Sequence, residues 1–347
     1  MPCDYTTREM MEAVRTALPY NNFLSRTFFP TSKTHIAEII EVDVKKGRRR
    51  MAPFVSPRKG GKIMTRDGYH TNMIRCPKLA PETILTVDDI SKRSFGENVY
   101  SNDTPQQRRD KLLAQDLNDL QESIERRKEW MAREVVIGGG FDVVDKNDGV
   151  DIHVDYGFTN KEVLLGDDSW SSDKSDPDEI LMEKRLEVLK SSGVCPDMII
   201  GDAKTIRMYL KHPKVQKNAN ILNIKDARIE PRIVDDNVTF YGRIASLDLD
   251  IYSYDEWFIN DATGKEEPMI PYGTIIIASS KGIGKWHYGA VTQVEPGSGF
   301  TTYEAEIVPK YTVDDKNDTE TLRETSRPVP VPDDVDSWAV IVVDKVS

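Results

Sequence analysis

The sequence predicts an α+β protein built around one long helix with a β-rich body behind it. Three observations carry this. A capped amphipathic stretch of some thirty residues begins at Thr104, the helical patterns cluster before Lys211, and from Val238 onward the pattern is mostly of short strands. Helices and strands do not alternate regularly, so a parallel α/β sheet is not expected.

Thr104, Pro105 and Gln107 stand at the cap, first and third helical positions, which is the capping-box spacing. Leu113, Leu117, Leu120, Ile124 and Met131 then form an apolar stripe, with Arg126, Arg127, Lys128 and Glu129 assigned largely to the solvated side. The glycines from Gly138 to Gly140 end the helix, which at 1.5 Å per residue is about 50 Å long and acts as a strut. Leu113, Leu117, Leu120 and Ile124 are the residues expected to pack it.

Ahead of the helix, FLSRTFFP closes a first segment that reads as an arm. HIAEIIEVDV, KKGRRR, MAPFVSP, the pair Gly60 and Gly61, KIMTRDG and HTNMIRCPKL follow. These short extended runs carry too few apolar residues for a core of their own, so they predict a projecting two-stranded excursion that leans on something else. Behind the helix, FDVVDK, Asn147-Asp148-Gly149 and VDIHVDYGF predict a hairpin. PDEILMEKRLEVLKSSG predicts a helix ended by Gly193, CPDMIIGD a buried strand and DAKTIRMYLKH another helix. VTFYGRI, LDLDIYSY, TIIIAS, KWHYGAV, TYEAEIVPKYTV and WAVIVV read as strands, and RPVPVP from Arg327 to Pro332 as an extended connector unfit for a central strand.

Composition narrows the function. The 347 residues carry a net charge of −11, and no apolar run approaches the ~18 residues of a membrane span. The start, MPCDYTTREMMEAV, has acids where an export signal has a basic end and an apolar stretch, so reducing cytoplasm is the expected compartment. Cys3, Cys76 and Cys195 offer neither a disulfide framework nor metal spacing. His35, His70, His153, His212 and His287 show no metal-binding pattern and are expected on strand surfaces or turns. DKNDG lacks the glycine placement and terminal Glu of a calcium loop, and SSKGIGKW lacks the first glycine and the hydroxyl of a phosphate loop. No cofactor, metal or catalytic residue is therefore expected.

Charge is unevenly spread. Lys45, Lys46, Arg48, Arg49, Arg50, Arg58, Lys59 and Lys62 form a basic block with no acid among them, whereas Asp167, Asp168, Asp173, Asp176, Asp178 and Glu179 stand against Lys174 alone. From charge alone the basic block suits a solvated hairpin, a clamp onto acidic surface of another copy, or a nucleic acid.

FLSRTFFP, FVSPRKGGKIMTRDG, QQRRDKLLAQDLNDLQESIERRKEWMAREVVIGGGFDV, WSSDKSDPDEIL and GVCPDMIIGDAKTIRMYL, in that order, resemble the lambda-type major capsid proteins of tailed bacteriophages. The resemblance covers about nine tenths of the chain and is weakest after Lys310; the basic KKGRRR turn and the acidic, proline-rich end depart from it. It implies the Hong Kong 97-type capsid fold. On this sequence that gives an N-terminal arm at 1–33, an E-loop at 34–84, and a P-domain at 85–177 with its spine helix at about 104–136. An A-domain at 178–299 and a return to the P-domain at 300–347 complete it. It also implies a homo-oligomer of hexamers and pentamers in a virion shell, assembled in the host cytoplasm with scaffold, portal and decoration proteins. The shell encloses DNA without sequence-specific binding, and no membrane is involved. The resemblance shifts the basic block toward the intersubunit clamp. The alternatives are an encapsulin-like nanocompartment shell on the same fold and a nucleic-acid-binding protein acting through residues 45–62.

Overall fold

The computed structural model describes residues 7, 10, 11, 14, 22–44, 70–91, 104–145, 150–221, 227–244, 246–260, 263–295 and 299–344. Its longest element is the helix Pro105–Gly138. Both halves of the capping box form: the Gln107 N–H donates to the Thr104 hydroxyl at 3.3 Å, and the Thr104 N–H donates to the Gln107 side chain at 2.9 Å. At the other end Gly139 adopts φ 81° and returns its N–H to the Val135 carbonyl at 2.9 Å. A side chain at Gly139 would also meet Phe158 at 2.2 Å, so glycine is required twice over.

The helix packs differently along its length. Its N-terminal half lies on a three-stranded antiparallel sheet in which Thr319–Thr325 is flanked by Val308–Asp314 and Glu82–Thr86. Leu120 clusters with Met10, Tyr311 and Leu322, with Leu113 and Leu117 half-buried alongside. One turn on, Ile124 meets Val14 and Ile307. Met10 and Val14, both helical, come from the first segment, which therefore contributes to the packing of the stripe. Arg109 fastens the start of the helix to this sheet, donating to Glu320 at 2.9 Å and to the Tyr311 hydroxyl at 2.8 Å.

The C-terminal half enters the main core through Met131, Ala132, Val135 and Val136. The facing layer is a seven-stranded mixed sheet in the order Lys161–Val163, Ala339–Val342, Thr274–Ala278, Met198–Gly201, Leu249–Tyr254, Val238–Ile244, Ala227–Asp235. Its central strands Met198–Gly201 and Thr274–Ala278 are buried throughout, as expected of strands covered on both faces. Leu181, Ile206 and Tyr209, from the helices Pro177–Ser191 and Ala203–Lys211, cover the second face together with Ile199, Ile277 and Ile341.

Four features differ from the sequence expectation. A helix at Pro213–Ile221 follows Lys211, where mostly strands were expected; Pro213 opens it at a first-turn position, where a missing N–H costs nothing. Lys128 and Glu129 are buried, not solvated. Leu24, Phe28 and Phe29 belong to the main core, so the end of the expected arm is an integral part of the body. The proline-rich connector is a buried strand, Pro328–Pro332, at the edge of a sheet ordered Thr31–Thr34, Gly284–Tyr288, Pro328–Pro332. The Gly289 N–H donates to Arg327 and the Asp333 N–H to Ile283, so the odd-numbered residues face the neighbouring strand. Pro328, Pro330 and Pro332 then direct their missing donors away from the ladder, which is where a strand tolerates proline.

Leu120 retains 6% of its exposure between the helix, the sheet and Met10. Leu120→Ala is expected to lower unfolding stability by about 2 to 5 kcal/mol in denaturant titrations; an unchanged midpoint and slope would place the stripe elsewhere.

Candidate functional site: the anchor of the arm and loop

The end of the first segment meets the long helix at Glu125 and Glu129 and leads on into the excursion. There the short helix Phe23–Phe28 sits end-on against Glu129. Asn22 provides no side-chain cap; instead the Glu129 carboxylate accepts from the Leu24 N–H at 2.7 Å, the Ser25 N–H at 2.9 Å and the Tyr254 hydroxyl at 2.9 Å. It thus caps a helix from another element. Glu129 is 2% exposed, and burial pushes its pKa up to about 7 against the opposing pull of those three donors.

Lys128, the next residue back, turns toward a different wall. Its ammonium donates to Glu125 at 2.7 Å and lies 5.4 Å from the ring centre of Trp286 and 5.6 Å from that of Tyr288. Burial would lower its pKa, but Tyr288 and Glu125 outweigh that and raise it, so the cation persists. The Asn22 amide donates to Glu125 at 2.7 Å, and the Trp286 indole donates to the Ser25 hydroxyl at 2.9 Å. Phe23 packs on Tyr254 and Phe29 on Trp286.

The chain then runs as Thr31–Thr34, parallel to Gly284–Tyr288. Beyond it Ala37 accepts from the Ala290 N–H, Glu38 accepts from the Cys76 N–H, and Arg327 pairs with Glu38 at 2.8 Å. From this root the strands Ile39–Val44 and His70–Arg75 project as a two-stranded antiparallel ribbon. Ile40 and Ile74 are buried at its base, whereas Ile36, Ile39 and Met73 are exposed, Met73 by 73%.

Lys45, Lys46, Arg48, Arg49, Arg50, Arg58, Lys59 and Lys62 lie outside the described residues. The acidic block is partly committed within its own chain. Asp167 pairs with Lys174 at 3.0 Å, Asp176 caps the helix Pro177–Ser191, and Asp178 accepts from the Tyr209 hydroxyl at 2.6 Å. Two histidines depart from the surface expectation as a pair: His35 and His287 are hydrogen-bonded to each other at 2.8 Å. His212 is buried and lies 3.1 Å from the Ser172 carbonyl. Among the described residues no three His, Cys, Asp or Glu side chains gather as metal ligands, and no helix is long and apolar enough to cross a membrane.

Lys128 and Glu129 were missed although the spacing held a signal for one of them. Lys128 follows Ile124 by four residues and precedes Met131 by three, so it occupies the stripe itself.

The chain thus joins an anchored first segment, a two-stranded ribbon and a long strut to one β-rich body. The family model for phage major capsid protein E matches residues 6–343. The chain belongs to that family. It is 21% identical over 297 residues to the major capsid protein of Escherichia phage lambda, covering 84% of this chain and 85% of that one. To the major capsid protein of Escherichia phage N15 it is 20% identical over 301 residues, with 84% and 85% covered. The putative capsid protein of a prophage of E. coli CFT073 shares the fold, with TM-score 0.72 and 17% identity over 98% of this chain and 99% of that one. A phage-related protein of Bordetella bronchiseptica RB50 aligns with TM-score 0.56 and 11% identity over 96% and 95%. The fold is the Hong Kong 97-type capsid fold, and the chain is a major capsid protein, a structural component of the phage virion. The family and both sequence relatives are phage head proteins, which favours the phage head over the nanocompartment shell.

One buried acid stands apart from the anchor. Glu324, on the strand Thr319–Thr325, is fully buried with neither carboxyl oxygen hydrogen-bonded, and burial pushes its pKa up to about 8. Its folded pKa lies above the ordinary carboxylate value, so the stability it contributes is full below about pH 4.3 and is lost as pH rises through about 8. Thermal melts of the subunit from pH 5 to 9 are expected to show this decline, flattened in Glu324→Gln. Parallel declines in both proteins would show that Glu324 does not titrate in the fold.

Proposed function

We propose that this major capsid protein assembles as hexamers and pentamers into the icosahedral head shell that encloses packaged double-stranded DNA. The loop at 34–84 acts as the clamp between neighbouring copies. The observation that carries this reading is the ribbon Ile39–Val44 with His70–Arg75: Ile40 and Ile74 are buried at its root, and Ile36, Ile39 and Met73 are exposed. Such a ribbon gains little by standing alone and is stabilised by lying on another surface. The many individually modest contacts of a closed shell supply that surface.

On this reading residues 1–33 are the arm and 34–84 the E-loop. Residues 85–177 with 300–347 form the P-domain around the spine, and 178–299 form the A-domain. Two pairings cross these divisions and support treating P- and A-domains as one folded body. The antiparallel ribbon Val291–Glu295 with Gly299–Tyr303 straddles the 299/300 boundary, and Ala339–Val342 pairs with Thr274–Ala278. Scaffold, portal and decoration proteins complete the head, which is assembled in the host cytoplasm, and the role is structural, not catalytic. A net charge of −11 disfavours general coating of DNA, since like charge repels phosphate and leaves the genome free to slide.

Lys45, Lys46, Arg48, Arg49, Arg50, Arg58, Lys59 and Lys62 supply the clamp's charge. One exposed pair is worth ~0.2 to 1 kcal/mol, so single arginines matter little, but the small contribution recurs at every copy. The triple variant Arg48→Glu, Arg49→Glu, Arg50→Glu is expected to fold with unchanged circular dichroism and to fail to form particles in electron micrographs. Wild-type assembly should weaken with added salt. Normal particles from the variant would refute the clamp, and lost DNA retention with intact assembly would assign the loop to nucleic acid.

A further inference from the structure

We infer that His35 and His287 form an acid-released latch that holds the common root of the arm and the loop against the body. His35 Nε2 and His287 Nδ1 are 2.8 Å apart, with ring planes 15° apart and centroids at 5.0 Å, so one nitrogen donates and the other accepts. Thr31–Thr34 lies at a sheet edge with Gly284–Tyr288 as its sheet neighbour, and Thr31, Ser32 and Lys33 are exposed. Polar ties add to that pairing: the Ser32 hydroxyl donates to Glu306 and the His35 N–H to the Tyr288 carbonyl at 2.9 Å, and just beyond the strand the Ala290 N–H donates to Ala37 and Arg327 pairs with Glu38 at 2.8 Å.

Proton counting gives the switch its direction. In the neutral pair one N–H···N bond forms. A first added proton settles on an outer nitrogen and leaves that bond in place, now charge-assisted. A second gives both facing nitrogens a hydrogen, so two donors and two positive charges oppose each other with no acceptor between them. The surroundings resist those protons. Lys33 faces the pair from the arm strand and Lys285 from the neighbouring strand; Asp333 lies just beyond Pro328–Pro332, 3.4 Å from Lys285. Glu306 reaches the arm strand through Ser32. Burial and Lys33 lower the pKa of His35. Burial, His35, Lys33 and Lys285 lower that of His287 to about 4, against Asp333. With folded values below the unfolded ~6.5, the stabilisation is full at neutral pH and is lost as pH falls from about 6.5 through 4.

The test is hydrogen exchange by mass spectrometry on the full-length chain at pH 7.5 and 4.5, corrected for intrinsic rates, with residues 131–136 of the long helix as reference. Residues 31–38 are expected to lose protection about tenfold or more in acid, the equivalent of one pKa unit, while the reference holds. His287→Gln, which keeps a side-chain hydrogen-bonding group but removes one titrating ring, is expected to retain most of that protection. No acid loss in wild type, or equal losses in wild type and variant, would overturn the latch, the latter assigning the effect to carboxylates. Imidazole NMR titration of the wild-type chain decides independently of how the variant folds. Both rings should titrate below ~6.5 and each should shift as the other is protonated; two independent titrations at the ordinary value would overturn the proposal.

Discussion

The short helix that leads into the ribbon is held on one buried carboxylate. Glu129 accepts hydrogen bonds from the first turn of Phe23–Phe28 and from Tyr254, and so joins the first segment, the long helix and the seven-stranded sheet at one point. An isolated buried anion is costly, and three donors with the positive end of a helix are what make it tolerable. The arrangement is selective because removing any partner leaves a buried group unsatisfied. Leu24, Phe28 and Phe29 then fill the core beside it and add the non-directional share of the binding.

That anchor separates two kinds of structure. Below it the helix, the sheet and the aromatic wall of Trp286 and Tyr288 make a body with dense apolar packing. Above it Thr31–Thr34 and the ribbon Ile39–Val44 with His70–Arg75 are held by polar contacts and by a few side chains at the root. On the function proposed above, this division suits a shell subunit: the stiff body sets the curvature of the lattice and the extensions lie on neighbours.

Much of this was legible in the sequence because it rests on local rules. Thr104, Pro105 and Gln107 announce the helix through the chemistry of its own first turn, and Leu113, Leu117, Leu120 and Ile124 announce its packed face through spacing alone. The anchor was less legible. Glu129 is charged on an otherwise solvated helical surface, and its burial follows from partners more than a hundred positions before and after it in the chain. His35 and His287 are likewise brought together by parallel pairing across some 250 residues, which no local pattern encodes. Pro328, Pro330 and Pro332 were legible in part: proline excludes a central strand, as expected, but it does not exclude an edge one, and which strand is an edge is decided by topology.

Glu129 binds the first segment to the body through the helix end it caps and through Tyr254. A double-mutant cycle with Glu129→Gln and Tyr254→Phe, read by denaturant unfolding of the full-length chain, measures that link. Coupled groups in one buried network give interaction energies of about 0.5 to 3 kcal/mol. A coupling in that range is expected, together with faster amide exchange at Leu24 and Ser25 in the Glu129→Gln protein. Additive effects with unchanged exchange at those two residues would contradict it.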